Sequence, residues 1–153
     1  MNALELRVPP VALSLFFACA MWIASAQFPV ISFAIPGRLV ISIALCGIGM
    51  VFAVAGVIAF RGAKTTVNPT QPGAASSLVT SGVYRFSRNP MYVGFLFALS
   101  GWAFFLAHAL GFILLPAFVI YMNRFQILPE ERALSSKFGK QFATYNQSVP
   151  RWL

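Results

Sequence analysis

Acidic residues are almost absent from this sequence. It contains no aspartate, and its only carboxylate side chains belong to Glu5, Glu130 and Glu131. Charged residues form 9% of the chain and hydrophobic residues 59%, whereas soluble domains average about 25% charged residues. The composition therefore excludes an ordinary soluble domain. It predicts an integral membrane protein, and 153 residues are enough for one domain.

The excess of basic residues gives the chain a net charge of +8. These residues stand in short clusters between apolar runs and do not form one basic surface with interleaved aromatic residues, so we expect no nucleic-acid partner. Such clusters are typical of loops that meet anionic lipid headgroups. The two cysteines, Cys19 and Cys46, lie inside apolar runs, where we expect them to act as small buried hydrophobic side chains.

Long uncharged runs predict the membrane-spanning helices. The runs at about 11–26 and 39–60 are each about as long as a span. A third apolar block, 91–122, is broken around residues 107–109. Its two limbs would be about 24 and about 21 Å long at the helical rise, which is shorter than a hydrocarbon core of about 30 Å. We therefore predict that this block forms a short-limbed helical hairpin.

Basic residues lie mostly on one side of the resulting four-helix arrangement. Nearly all of them fall at the N-terminus, between the second and third spans, or in the tail, while the other two connections carry only Arg38 and His108. The positive-inside rule then places both termini in the cytoplasm, at the inner membrane if the source is bacterial. Because His108 lies alone at the opposite hairpin turn, we expect no metal site. The all-α membrane domain consists of two N-terminal spans (1–60), a cytoplasmic connection (61–90), the hairpin (91–123) and a cytoplasmic tail (124–153).

The N-terminus has an alternative interpretation as a signal peptide. Arg7 precedes an apolar run that ends at Ala24-Ser25-Ala26, and small residues of this kind are typical of a cleavage site. Glu5 offsets the charge of Arg7, so we favour an uncleaved first span. Cleavage would leave the later topology unchanged.

The polar connection ends in an unusual stretch, "LVTSGVYRFSRNPMY". Its aromatic and aliphatic residues alternate with basic ones, which argues against disorder. Pro90 suits the first turn of the following helix, and Asn89 then stands at the N-cap position. Asn89 is either a helix cap or a ligand-binding residue, and the chemistry of asparagine leaves both open.

The tail begins with two adjacent glutamates. Pro129 suits the start of a helix, and Glu130 and Glu131 would then lie in the first turn, where the helix dipole favours acids. Hydrophobic residues recur every three to four positions beyond them, which predicts an amphipathic helix at the cytoplasmic interface, weakened in its middle by Gly139. The glutamates either compensate charge at a helix end and pair with arginines, or bind a ligand.

Together these segments resemble the isoprenylcysteine carboxyl methyltransferase and phospholipid methyltransferase superfamily of membrane enzymes. The family pattern is Gly-x-Tyr, Arg-His-Pro-x-Tyr-x-Gly, an apolar hairpin, a Glu-Glu pair, a Phe-Gly-x-x-Tyr-x-x-Tyr-like helix and a closing arginine. The matching segments here are Gly82–Tyr84, Arg88–Gly94, 95–122, Glu130–Glu131, Phe138–Tyr145 and Arg151. Asn89 replaces the family histidine, and Phe142 replaces the first tyrosine of the tail motif. The resemblance covers about residues 62–153.

The resemblance implies S-adenosylmethionine as the methyl donor, bound at the cytoplasmic face without a metal. The implied donor-binding residues are Tyr84, Arg88, Asn89, Pro90, Tyr92, Gly94, Arg124, Glu130 and Glu131, with Arg88 and Glu131 as the candidate catalytic residues. The glutamates suit the ammonium group or the ribose hydroxyls, and the arginines or Asn89 suit the carboxylate. The tyrosines suit the adenine or, through a cation–π contact, the sulfonium. Gly94 either permits close approach of the ligand or serves helix packing.

Several questions stay open at this level. Asparagine donates a hydrogen bond but carries no proton or charge near pH 7, so the effect of Asn89 depends on whether the family histidine positions the donor or takes part in chemistry. The acceptor is a lipid, a prenylated molecule or a small hydrophobic one, with a carboxylate, amine or thiol as nucleophile. The other functions considered are a non-catalytic scaffold and a four-helix transporter, which would usually need an ionisable residue inside a span. Apolar faces of such a bundle could also pack on another copy as a homo-oligomer.

Overall fold

The described part of the chain, residues 5–63, 73 and 75–153 of a computed structural model, is helical throughout its regular structure. Its α-helices are α1 (Pro10–Gln27), α2 (Arg38–Gly62), α3 (Pro90–Leu106), α4 (Ala109–Tyr121), α5 (Leu128–Phe138) and α6 (Lys140–Ser148). Short 3-10 turns lie at Pro29–Ile31 and Gly82–Arg85, and a π-helical turn, Met122–Ile127, joins α4 to α5. The predicted all-α class is confirmed. Part of the predicted connection, including Lys64, lies outside the described residues.

Three helical stretches are long and apolar enough to cross a membrane. They are Pro10–Gln27, Arg38–Gly62 and the continuous helix Ala109–Phe138. Helix α3 is also apolar but has only 17 residues. These findings support the membrane character of the fold, and the bounds of α1 and α2 agree with the first two predicted runs. The four-span arrangement and its orientation stay predictions.

The turn between α3 and α4 lies where the sequence predicts a break. Ala107 adopts a left-handed conformation with a φ of 49° and ends α3. His108 is fully buried, and its Nε2 donates to the carbonyl oxygen of Phe28, 2.9 Å away. The N–H of Phe33 donates to the carbonyl oxygen of Ala107 at 2.9 Å. These bonds fix the hairpin turn against the connection between α1 and α2, so His108 has a structural role there.

Helices α2 and α3 meet through glycines. A Cβ atom on Gly94 would lie 2.6 Å from the carbonyl oxygen of Gly49, and a Cβ on Gly49 would lie 2.6 Å from the carbonyl oxygen of Gly94. The two backbones therefore touch directly, as small residues allow in membrane helices. Of the two interpretations of Gly94, helix packing is the one that this geometry supports.

The apolar core lies between α1, α3 and α4. Its buried members are Leu13, Phe17, Met21, Tyr92, Leu99, Phe118, Met122 and Ile127. Both cysteines lie outside it, because Cys19 and Cys46 are exposed on the surfaces of α1 and α2. The prediction of buried thiols is therefore wrong. Although it is exposed, the thiol of Cys46 still contacts α3, where its Sγ lies 3.8 Å from the carbonyl oxygen of Ala98.

Helix α5 begins at Leu128, with Pro129 and both tail glutamates in its first turn as predicted, but it is not separate from α4. The helix is continuous from Ala109 to Phe138 and passes through the π-helical turn just before Pro129. Proline has no N–H for the carbonyl oxygen four residues earlier, which here belongs to Phe125. That oxygen instead accepts a hydrogen bond from the N–H of Leu6 at 3.0 Å. The helix then ends at Gly139, which has a φ of 50°, and α6 follows.

Candidate active site

Segments that are far apart in the sequence meet at one end of the bundle, which we call the basic end. It is formed by the beginning of α3, the beginning of α5 and the segment that follows α6. These three segments bring together Arg88, Glu131 and Arg151. The other acid of the pair, Glu130, contacts the first turn of α3.

Glu131 lies between two guanidinium groups. Arg151 donates to it through two bonds, Nε to Oε1 at 3.0 Å and Nη2 to Oε2 at 2.7 Å. This bidentate geometry is the strongest form of arginine–carboxylate pairing. The Nη2 of Arg88 lies 3.2 Å from Oε1 of the same carboxylate. One negative charge therefore faces two positive charges, and the cluster keeps an excess of one positive charge.

Arg88 is unusual because it is buried and only partly satisfied. Its side chain is 10% exposed, and among the described residues its Nε and Nη1 atoms have no hydrogen-bond partner. Burial lowers the pKa of Arg88 from its ordinary value, and the charge of Glu131 opposes that shift. Buried polar groups without partners are costly and rare. These two nitrogen atoms are therefore available to donate to acceptor atoms of a ligand.

Glu130 is held by a different set of side chains. The hydroxyl of Tyr92 donates to its Oε2 at 3.0 Å, and the amide of Gln126 donates to that hydroxyl at 3.4 Å. Tyr92 is 4% exposed and Gln126 is 3% exposed. Sequence reasoning missed Gln126. The available signal was an amide side chain four residues before Glu130, a spacing that places both on one face of a helix.

Asn89 makes a bond that neither interpretation of its role had included. It stands at the N-cap position of α3, but its side chain makes no capping bond. Its Nδ2 donates to the carbonyl oxygen of Arg151 at 2.9 Å. The hydroxyl of Ser87 donates to the same oxygen at 3.4 Å, and the N–H of Arg88 donates to the carbonyl of Pro150 at 3.0 Å. The helix-cap interpretation is wrong, and Asn89 ties the C-terminal segment to α3.

Two buried tyrosines, Tyr84 and Tyr145, pack next to the basic end. The hydroxyl of Tyr145 donates to the carbonyl oxygen of Tyr84 at 2.7 Å. The ring of Tyr84 packs edge-on against Phe60 with ring centroids 5.3 Å apart. Burial raises the pKa of Tyr145 to about 12. Burial, followed by the charge of Glu130, raises the pKa of Tyr84 above its ordinary value, so both phenols stay protonated at neutral pH.

Arg124 has a different partner from the one expected. It pairs with Glu5 at 3.1 Å, and Arg132 pairs with the other oxygen of Glu5 at 2.7 Å. The Arg124 side chain is 46% exposed, whereas that of Glu5 is 3% exposed. Arg132 and Arg124 lower the pKa of Glu5 against the opposing effect of its burial. The two arginines hold the N-terminal segment against the helix, so Arg124 is committed to a structural ion pair.

The predicted site residues therefore separate into groups. Those that meet at the basic end are Tyr84, Arg88, Asn89, Tyr92, Glu130 and Glu131. Pro90 is buried and begins α3, and Gly94 packs against α2.

A model of the phospholipid methyltransferase family matches residues 37–141 of the chain. The chain belongs to the phospholipid methyltransferase family. An uncharacterized protein of Haemophilus influenzae is 40% identical over 63 residues, which cover 41% of this chain and 100% of that protein. Protein-S-isoprenylcysteine O-methyltransferase B of Arabidopsis thaliana is 40% identical over 76 residues, or 48% of this chain. The match covers 37% of the plant protein's length. The predicted membership of this superfamily of membrane methyltransferases is confirmed.

The match to the phospholipid methyltransferase family extends from the start of α2 into α6. It includes the Arg88–Gly94 stretch and both tail glutamates, but neither Glu5 nor Arg151. Arg151 was noticed only as the arginine that closes the motif and was not predicted as a site residue. Its guanidinium and its carbonyl oxygen both take part in the basic end, so the C-terminal segment completes the cluster that the family segment begins.

Proposed function

We propose that this protein transfers a methyl group from S-adenosylmethionine to a lipid-like or membrane-partitioned acceptor at the cytoplasmic membrane face. The observation that carries the proposal is the buried guanidinium of Arg88, whose Nε and Nη1 have no partner among the described residues. Nε and Nη1 point in different directions, so a carboxylate oxygen would accept from one of them, and such charge-assisted bonds are among the stronger hydrogen bonds. Membership of a methyltransferase family supplies the reaction class.

The residues of the basic end fit the polar groups of this donor. Arg88 offers an N–H of Nε or of Nη1 to the donor's carboxylate. In the described part of the chain the partner of Glu130 is Tyr92, through Oε2, and Oε1 remains for the ammonium group or a ribose hydroxyl. The charge of Glu130 raises the pKa of Tyr84. Tyr84 offers an aromatic face to the adenine or the sulfonium.

The structure supports different roles for the two adjacent glutamates. Glu131 accepts two hydrogen bonds from Arg151 and forms an ion pair with Arg88, so we assign it to positioning Arg88 and not to direct contact with the donor. Among the residues that the structure describes, Glu130 is bonded through Oε2 to Tyr92, which leaves Oε1 and makes Glu130 the better candidate for donor binding. Asn89 acts on the same arrangement indirectly, because it holds the backbone of Arg151.

The bound donor supplies an electrophilic methyl group on a sulfonium. The chain's contribution is to align the nucleophile with that group and to exclude water. A carboxylate or thiolate acceptor needs no general base. An amine must lose a proton, and Oε1 of Glu130 is the atom placed to receive it.

The location follows from the distribution of charge. Basic residues on the connection and the tail favour a cytoplasmic basic end under the positive-inside rule, with α3 and α4 as the third and fourth spans. A soluble donor would then enter from the cytoplasm, while the acceptor enters from the bilayer. The names of the family and of the Arabidopsis relative point to a phospholipid and to a protein S-isoprenylcysteine, respectively, as acceptor classes.

The test is calorimetric titration of the purified protein in detergent with S-adenosylmethionine. Arg88→Ala should weaken binding by about tenfold to a hundredfold, because hydrogen bonds to charged groups contribute roughly 1.5–3 kcal/mol. Arg85→Ala is the matched control, since Arg85 is exposed three residues earlier, and it should bind normally. Absence of binding, or equal binding by the Arg88 variant, would contradict the proposal and favour a scaffold without a donor site. Transfer of a labelled methyl group to a membrane lipid extract would identify the acceptor.

A further inference from the structure

An apolar groove of about 260 Å³ lies next to the basic end. Its walls are Val93, Leu96, Phe97 and Ser100 of α3, together with Trp152 and Leu153 of the C-terminal segment. The spacing of the four α3 residues places them on one face of that helix. The hydroxyl of Ser100 donates to the carbonyl oxygen of Leu96 at 2.8 Å within the same helix. The groove therefore presents hydrocarbon and no charged side chain.

Both walls of the groove are held in place. On the C-terminal side, the indole Nε1 of Trp152 donates to the side-chain oxygen of Asn123 at 3.1 Å, and Trp152 packs against the apolar core. On the α3 side, Phe97 stacks against Phe52 of α2 with ring centroids 5.8 Å apart. The groove is thus a formed feature between α3 and the C-terminal segment.

Both walls of the groove begin at residues that are adjacent in sequence to the candidate active site. Val93 directly follows Tyr92, whose hydroxyl holds Glu130. Trp152 directly follows Arg151, whose guanidinium holds Glu131. From Val93 to Ser100 the groove runs along α3 for about 10 Å, away from the charged cluster and into the apolar part of the bundle.

We propose that this groove binds the hydrocarbon chain of the methyl acceptor, with Trp152 as a residue that determines acceptor specificity. The inference rests on the proposed methyltransferase function. A chain lying between Ser100 and Val93 would bring a polar group at its end to Tyr92 and Glu130, where the donor's polar groups are held. Pockets for whole drug-sized ligands measure about 300–1,000 Å³. A groove of about 260 Å³ therefore accommodates part of one chain, and the rest of the acceptor stays in the bilayer.

The first test is independent of catalysis. The purified protein is irradiated with a palmitate analogue that carries a diazirine in its chain, and labelled residues are mapped by mass spectrometry. We expect labels on the α3 face of the groove and on Trp152, and we expect unmodified palmitate to compete with them. Labelling that is equal on the exposed α2 residues Val51 and Val54 would show an ordinary lipid-facing surface and would overturn the proposal.

Two groove variants sharpen this test. Ser100→Phe fills the groove, and excluding about two buried methylenes should lower labelling about tenfold. Trp152→Phe keeps an aromatic wall but removes the bond to Asn123. Trp22→Ala is the control, because Trp22 is 57% exposed on α1, and it should label like the unchanged protein. Undiminished labelling in Ser100→Phe would overturn the proposal even if the Trp152 variant folds poorly.

Kinetics then separate this inference from the function on which it rests. Ser100→Phe should raise the acceptor KM about tenfold and leave the donor Kd unchanged. Donor binding and methyl transfer without specific labelling of the groove would refute the groove proposal alone. Absence of donor binding and of methyl transfer would refute the methyltransferase proposal, and the acceptor role of the groove would fall with it.

Discussion

Replacing Asn89 tests how the C-terminal segment supports donor binding. The Asn89 side chain donates one neutral hydrogen bond, 2.9 Å long, to the carbonyl oxygen of Arg151. Such a bond contributes about 1 kcal/mol, and Ser87 keeps a longer bond to the same oxygen. Asn89→Ala should therefore loosen Arg151 by about 1 kcal/mol and weaken donor affinity about fivefold. Asn89→His should keep the affinity, because an imidazole N–H can also donate to this carbonyl oxygen.

The assay combines donor titration with digestion by carboxypeptidase. If Asn89 acts by holding the C-terminal segment, Asn89→Ala should bind donor less tightly and also release Trp152 and Leu153 faster. In an Arg151→Ala background the same change should have no further effect on donor affinity, because the guanidinium that the Asn89 bond helps to position is then absent. The double-mutant cycle isolates this coupling.

Two results would refute the reasoning. An equal loss of affinity in both backgrounds would mean that Asn89 touches the donor directly. An unchanged affinity in Asn89→Ala would mean that the bond to Arg151 does not contribute to donor affinity.

Two further predictions concern the fold. Gly94→Ala should lower the thermal midpoint of unfolding by the equivalent of roughly 1–3 kcal/mol, because its Cβ would lie 2.6 Å from the carbonyl oxygen of Gly49. The control is Gly47→Ala, whose Cβ would have nothing within 4 Å and which should change the midpoint little. Equal midpoints for the two variants would contradict the packing argument. Arg132 lowers the pKa of Glu5 below its ordinary value of 4.5. The N-terminal segment should therefore stay docked above pH 4.5 and be released as the pH falls through the lowered pKa of the folded state. Protease cleavage near Arg7 measures this release. Glu5→Gln should be cleaved readily at every pH, and acid-insensitive cleavage of the unchanged protein would refute the assignment.

Periodicity and charge predicted the features that depend on neighbouring residues. The uncharged runs located α1 and α2 to within two residues, and the break at residues 107–109 located the turn of the hairpin. These features follow from the length of a span and from local helix signals. The family resemblance likewise located the segments that carry Arg88 and Glu131.

Features that depend on distant partners escaped the sequence analysis. Glu5 appeared to be a charge that offsets Arg7, whereas its ion pairs are with Arg124 and Arg132, more than a hundred residues away. Pro129 is a good helix-start signal. It located the start of α5, but local sequence showed neither the π-helical turn that joins α5 to α4 nor the bond from the N–H of Leu6 to Phe125. The bond from Asn89 goes to a backbone carbonyl, and any residue type could have supplied that acceptor.

The hydrogen bond between Leu6 and Phe125 can form only late in the synthesis of the chain. Leu6 is synthesised well before its acceptor, which follows α3 and α4 in the sequence. Until the two ends meet, the carbonyl oxygen of Phe125 lacks this donor beside Pro129. The same stretch of helix carries Gln126 and Glu130. Helices α1 to α4 can therefore all be synthesised before the basic end has its final shape.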